Sequence, residues 1–240
     1  MSYKNLFYRN YATSHTSLIY GEPTQEQLRD KWPLWLHYYK FFFPHNKNSR
    51  ILDLGCGAGE FVAFLHAHGF SNTVGIDMSQ EQVALAKKLQ IQNIVEGDAN
   101  TYLAEHPNTF DVIVARDLLE HFAEEEVVTL VQKLAEALTP QGYVLLQTAN
   151  AANPLWGRVR YGDLTHSMAF TTQSMTQLLG VCGFKTISHR SLGVYVHGIK
   201  SLCRYLCLSG MIFFWRLYLL AETGSATEIL TPTFLTIARR

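Results

Sequence analysis

The 240-residue chain has little of several things that would point to particular functions. It holds four cysteines, Cys56, Cys182, Cys203 and Cys207, and no C-x-x-C pair. Neither a zinc site nor a disulfide framework is therefore expected, and a reducing cytoplasm suits the chain. Basic and acidic residues number 20 each and charged residues make up only 17%. Without a net field, charge-driven binding of nucleic acid is disfavoured. The start, Met1-Ser2-Tyr3-Lys4-Asn5, lacks the apolar core of a signal peptide, so export is not expected. No repeat or low-complexity tract is present, and the uncharged apolar run from Tyr205 to Trp215 falls short of the ~20 residues that span a bilayer. What the chain does have is 48% hydrophobic residues, which suits one domain with decorations around a single core.

The most informative stretch is Ile51-Leu52-Asp53-Leu54-Gly55-Cys56-Gly57-Ala58-Gly59-Glu60-Phe61, an apolar strand running into three alternating glycines and then a helix start. Glycine at 55, 57 and 59 permits φ > 0 and removes the Cβ atoms that would keep a ligand from the main chain. A dinucleotide fingerprint would read G-x-G-x-x-G, with pyrophosphate on the helix N-terminus. Asp53 argues against an anionic ligand and for one carrying an amino group or a sulfonium.

The stretch resembles motif I of the class I S-adenosylmethionine-dependent methyltransferases, and the segments that follow keep the family's order. Asn72 to Ser79 is a second strand ending in Asp77, about twenty residues after the glycines, where an acid grips ribose hydroxyls. Ile94-Val95-Glu96-Gly97-Asp98-Ala99 ends a third strand; the resemblance places Asp98 beside the adenine amino group and Ala99 near the ring. Phe110 to Asp117 is a fourth strand, and Leu138-Thr139-Pro140-Gln141-Gly142 introduces a fifth. The resemblance thus implies S-adenosylmethionine as cofactor, held by Asp53, Gly55, Gly57, Gly59, Asp77, Met78, Asp98, Ala99 and Arg116.

Helical runs at 60–68, 80–89 and 124–138 alternate with these strands. The fold class is α/β, a Rossmann-like doubly wound sheet of seven strands, mostly parallel with an antiparallel last strand at 234–238. Residues 1–48 form an aromatic-rich helical cap, and 49–240 form the methyltransferase domain. In the cap, Leu28, Trp32, Trp35, Leu36 and Tyr39 recur at helical spacing, which reads as a buried face. Residues 148–174, long and irregular after strand five, form the acceptor-side connection.

Just past strand four, Arg116-Asp117-Leu118-Leu119-Glu120-His121-Phe122 would, if helical, put Asp117, Glu120 and His121 on one face at i, i+3 and i+4. Two carboxylates and an imidazole suit a divalent ion such as magnesium or manganese. The pattern D-x-x-E-H resembles the E-x-x-E-H ligand set of small-RNA 2′-O-methyltransferases and, in related form, of ubiquinone-biosynthesis O-methyltransferases, with Asp117 as a shorter arm. By the same resemblance His166, in Asp163-Leu164-Thr165-His166, is the fourth ligand. That phrase, with the F-T after it, also resembles methyltransferases of bacterial polysaccharide and glycolipid biosynthesis. The alternative role for Glu120, His121 and His166 is proton transfer without metal. Arg158, Arg160 and Tyr161 could hold an acceptor phosphate or carboxylate, or be solvated surface.

The reading is an O-methyltransferase acting on a sugar hydroxyl in a glycan, glycolipid or nucleotide sugar with a divalent metal assisting. The alternative is a small-molecule or quinone-type enzyme with a histidine base. Residues 197–221 combine Lys200, Arg204 and Arg216 with a heavy apolar load. This basic apolar helix is open to three readings, peripheral membrane contact, a homodimer contact and a cleft wall.

Overall fold

The computed structural model describes residues 7–8, 10–16 and 21–240. Tyr3 and the rest of the first six residues of the expected cap lie outside the described residues. After a single π-helical turn at Ala12–Thr16 come α1 (Gln25–Asp30) and α2 (Trp32–Tyr39), then β1 (Ile51–Leu54), α3 (Glu60–Ala67), β2 (Thr73–Asp77), α4 (Gln80–Lys88), β3 (Ile94–Glu96), α5 (Ala99–Glu105) and β4 (Phe110–Arg116). The second half runs α6 (Glu124–Ala137), β5 (Leu138–Ala149), α7 (Trp156–Arg160), α8 (Thr172–Val181), β6 (Thr186–Ser191), α9 (Ile199–Thr223) and β7 (Thr233–Arg239).

The seven strands form one sheet in the order β3-β2-β1-β4-β5-β7-β6. Every pairing from β3 to β5 is parallel, and only β7 runs antiparallel to its neighbours β5 and β6. This is the Rossmann-like architecture the strand–helix alternation implied. The order reverses beside β1, and β1 and β4 both deliver their C-terminal ends to that switch point, where open α/β sheets bind ligands.

Burial explains the strand sequences. β1 and the middle of β4 are buried on both faces and read as continuous apolar runs, as parallel strands covered by helices do. One core layer holds Leu52, Leu54, Ile113, Leu130, Leu134 and Leu146 against α6 and α8. The other face is aromatic, with Trp35, Tyr39, Phe61, Phe64 and Phe70 packing α2 and α3 onto Val112, Val114 and Leu145. The helical spacing expected across Leu28 to Tyr39 is divided between two helices. Pro33 lacks the N–H a continuous helix would need and starts α2 instead. Leu28, Trp35 and Tyr39 are buried, whereas Leu36 turns to solvent.

Candidate active site

The glycine turn is built by two hydrogen-bond systems. The Gly55 and Cys56 amides donate to the Ile76 carbonyl at 2.9 and 3.0 Å, tying the turn to β2. The Gly57 amide donates to Asp77 Oδ2 at 2.8 Å while the Ser79 amide donates to Asp77 Oδ1 at 2.8 Å. Each carboxylate oxygen keeps a second acceptor site for a diol. Gly57 sits at φ 55°, and a Cβ there would meet nothing closer than 3.9 Å of protein. The space its missing side chain leaves belongs to the cleft.

A cleft of about 430 Å³ is lined by Gly55, Gly57, Asp77, Met78, Asp98, Ala99, Asn100, Asp117, His121 and, from the N-terminal segment, Tyr8 and Tyr11. A second cavity of about 560 Å³, lined by Lys31, Asp53, Arg116 and Asp117, shares Gly55 and Gly57 with it. The two join around the glycine turn and together offer an extended groove. Two buried polar atoms along this groove have no protein partner, Asn100 Oδ1 and Arg116 Nε. Such atoms are costly when unpaired, so an acceptor in one cavity and a donor in the other suit a ligand with amino and carboxylate ends. S-adenosylmethionine has both, and these residues fit it.

Asp53 is 2% exposed, and burial pushes its carboxyl up to about 7 against the pull of Arg116. The Arg116 guanidinium lies over the Trp35 and Phe61 rings, 4.8 and 4.6 Å from their centroids. Asp98 has a structural task as well: its Oδ1 caps α5 by accepting from the Thr101 amide at 2.9 Å. Gly59 departs from the expected cofactor set. It does not line either cavity, and a Cβ there would strike Ile94 Cδ1 at 2.7 Å. Its glycine is required by packing behind the turn. Asn100, which carries no motif signature, is among the cleft residues that sequence reasoning missed.

The segment after β4 does not form the α-helical face expected of Asp117, Glu120 and His121. Asp117 takes a left-handed conformation at φ 51°, and only Leu119–His121 is helical, as one 3₁₀ turn. With Asp117 outside that turn and left-handed, the i, i+3, i+4 alignment of an α-helix is lost. Asp117 Oδ2 instead accepts from Gln147 Nε2 at 2.7 Å, and Gln147 Oε1 accepts the Tyr39 hydroxyl. Glu120 is 1% exposed and its Oε2 accepts from Thr148 Oγ1 at 3.0 Å. Burial, then the nearby Asp117, push the Glu120 carboxyl up to about 8. Its main-chain carbonyl accepts from the Ser167 and Met168 amides at 2.6 and 3.2 Å, fastening the 148–174 connection to the end of β4.

His121, Asp163 and His166 are the residues that converge: one potential ligand atom from each lies within 4.8 Å of the others. Asp117 and Glu120 fall outside this group, and Asp163 enters it. Its presence was legible only as the first letter of the D-x-T-H phrase. Burial alone would raise the Asp163 carboxyl, but hydrogen bonds from Thr165 and Tyr11 hold it below the ordinary carboxylate range. It is therefore ionised and can only accept, from Thr165 Oγ1 at 2.7 Å and from the Tyr11 hydroxyl at 2.7 Å.

The Thr165 hydroxyl proton is thus spent on Asp163. Its oxygen, 2.9 Å from His121 Nδ1, must accept, so Nδ1 carries the His121 proton and Nε2 presents a lone pair. His166 Nδ1 faces the Val159 carbonyl at 2.8 Å and likewise donates. Burial depresses His121 to about 4, which keeps it neutral near pH 7. Of the three, His121 lines the cleft, with Tyr8 and Tyr11 edge-on at 6.1 Å between ring centroids. Arg158, Arg160 and Tyr161 do not line it; Arg160 lies over the Tyr161 ring, which is exposed.

With this geometry in hand, comparison with known proteins is informative. The family model described as "Methyltransferase domain" matches residues 24–189. A ubiquinone biosynthesis O-methyltransferase from Cronobacter sakazakii is 30% identical over 113 residues, 45% of each chain. A phosphoethanolamine N-methyltransferase from Plasmodium falciparum is 28% identical over 156 residues, 62% of this chain and 59% of that one. The matched region is thus less than half of the Cronobacter protein's length. Among solved structures, a SAM-dependent methyltransferase from Archaeoglobus fulgidus superposes with a TM-score of 0.67 at 18% identity, covering 95% of this chain and 100% of that one. At that identity the likeness concerns the fold.

Proposed function

Because the chain belongs to the methyltransferase-domain family, we propose that it transfers the methyl group of S-adenosylmethionine to a hydroxyl of a small, ring-bearing acceptor, with His121 as general base. The observation that carries this reading is the Asp163–Thr165–His121 chain, which leaves a neutral Nε2 lone pair on the one member of the cluster that lines the cleft.

The cofactor, when bound, supplies an electrophilic methyl on a sulfonium. Asp77 would accept its ribose hydroxyls, Asn100 Oδ1 would meet an amino group, and Arg116 and Asp53 would meet the carboxylate and ammonium of its amino-acid end. His121 Nε2 would take the acceptor's hydroxyl proton as the oxygen attacks, since an alcohol or phenol is a poor nucleophile while protonated. The resulting imidazolium would donate through Nδ1 to Thr165, with the Asp163 carboxylate behind it. Positioned proton transfer of this kind is worth about 10²–10⁴ in rate.

Tyr8 and Tyr11 flank His121 with ring edges and faces, and such aromatic walls suit a flat acceptor better than a sugar. The O-methyltransferase relatives bear names from ubiquinone biosynthesis, which favours the small-molecule acceptor over the sugar hydroxyl expected from sequence. A second reading rests on the His121–Asp163–His166 convergence. Two imidazoles and a carboxylate can hold a divalent cation, which would lower the acceptor's pKa as a Lewis acid.

Release of S-adenosylhomocysteine from chelator-treated protein, offered phenolic and then sugar acceptors, tests this. Turnover of a phenol that survives chelation and is lost in His121→Ala supports the base. Turnover that requires added manganese or magnesium and is lost in Asp163→Asn moves the site to the metal reading. Turnover of sugars alone sinks the flat acceptor.

A further inference from the structure

α9 is almost wholly exposed. Of its 25 residues only Ser201 is buried, although among the described residues this is the helix long and apolar enough to cross a membrane by length and composition. Its faces are distinct. Ser201 and the half-buried Leu208, Ile212 and Leu219 recur at i, i+7, i+11 and i+18 and turn toward the protein. Ile199, Leu202, Leu206, Phe213, Leu217 and Leu220 fall on the opposite side, all exposed, Ile199 at 82% and Phe213 at 58%. No charge interrupts that side. Lys200 lies along one edge and Arg216 along the other, while Arg204 lines a cavity with Leu208, Tyr38 and Leu192 on the protein side; the helix carries three cations against one acid in a chain with no net charge.

We infer that α9 lies lengthwise in the interface of an anionic lipid bilayer, its outward face among the acyl chains and its edge cations among the headgroup phosphates. Three observations select this occupant. First, the charge and side-chain chemistry match: Lys and Arg at the edges reach phosphates while their stems stay apolar, and Tyr218 on the flank is a residue type that settles at headgroup depth.

Second, the breadth of the exposed surface exceeds what a second copy of the helix would cover. A partner helix buries a stripe of roughly 100°, but Met211, Phe214 and Tyr218 remain exposed on the flank beyond it. Third, the topology forbids a span. α9 is bracketed by β6 and β7, which pair with each other in one sheet. A crossing helix would leave residues 224–232 to return through hydrocarbon without helical hydrogen bonds, and a bilayer core does not tolerate unpaired backbone groups there. An in-plane helix satisfies both constraints. This surface is separate from the chemistry proposed above, since no residue of α9 lines the cleft.

The test is flotation of the full chain with vesicles of phosphatidylcholine alone and of phosphatidylcholine with phosphatidylglycerol. Wild type should float with the anionic vesicles and release with rising salt. Phe213→Ser/Phe214→Ser/Leu217→Ser should abolish flotation, and Lys200→Gln/Arg216→Gln should weaken it by roughly fivefold per cation. Both variants replace exposed side chains, and an unchanged thermal shift with S-adenosylmethionine would verify that they fold. Wild type that stays off anionic vesicles overturns the inference. So does a wild-type dimer that the triple serine variant splits and that never floats.

Discussion

Thr165 determines which nitrogen of His121 is protonated. Its hydroxyl donates to Asp163 Oδ1 at 2.7 Å, so across the 2.9 Å to His121 Nδ1 it can only accept. A threonine thereby orients a base that it joins to a carboxylate two residues before it in sequence. Removing that oxygen should separate orientation from proton transfer. Thr165→Val should lower kcat about fivefold to tenfold, the worth of one hydrogen bond, with cofactor affinity unchanged. His121→Ala should cost about 10²–10⁴. Steady-state kinetics beside cofactor titration checks both, and equal losses in the two variants would contradict the relay.

The glycine turn should distinguish binding from packing. Gly57→Ala places a methyl in the cleft with no protein closer than 3.9 Å, so it should weaken S-adenosylmethionine binding more than it weakens the fold. Gly59→Ala strikes Ile94 at 2.7 Å behind the turn and should do the reverse. Both also incur about 1–2 kcal/mol for a side chain at positive φ. Melting temperature measured with and without cofactor resolves the two contributions.

Asp53 gives the protein a pH-dependent stability of definite sign. Burial raises its carboxyl to about 7, above the ordinary value near 3.9 that an unfolded chain would show. Between those values the folded state holds a proton that the unfolded state has lost. Stability should therefore fall as pH rises from about 4 to about 7. Asp53→Asn should flatten that slope in denaturant titrations across the window, and an unchanged slope would assign it to another group.

Glu120 serves as a fastener, joining β5 through Thr148 and the 148–174 connection through its carbonyl. Glu120→Gln keeps an acceptor for Thr148 and should cost under about 1 kcal/mol. Glu120→Ala leaves a buried hydroxyl unpaired beside a cavity and should cost about 2–4 kcal/mol. Chemical denaturation measures both. A glutamine variant as unstable as the alanine one would refute the Thr148 hydrogen bond as the source of that stability.

The sequence by itself determined the sheet and the cofactor turn. Continuous apolar runs ending in acids, and glycines at alternate positions, constrain the chain over a few residues at a time, so local pattern alone locates Asp53, Gly55, Gly57 and Asp77 where the strands meet the groove. The tertiary structure decided the acceptor side. Whether Asp117, Glu120 and His121 share a face depended on a left-handed Asp117 and a 3₁₀ turn, which are imposed by Gln147 from β5 and the Ser167 amide from the connection. Asp163 joins His121 only because the connection folds back 42 residues along the chain to meet it. Local periodicity carries no information about such a meeting, because it is decided by hydrogen bonds between segments far apart in sequence. The same holds for α9: its apolar and basic composition was legible, whereas its bracketing by two paired strands was not.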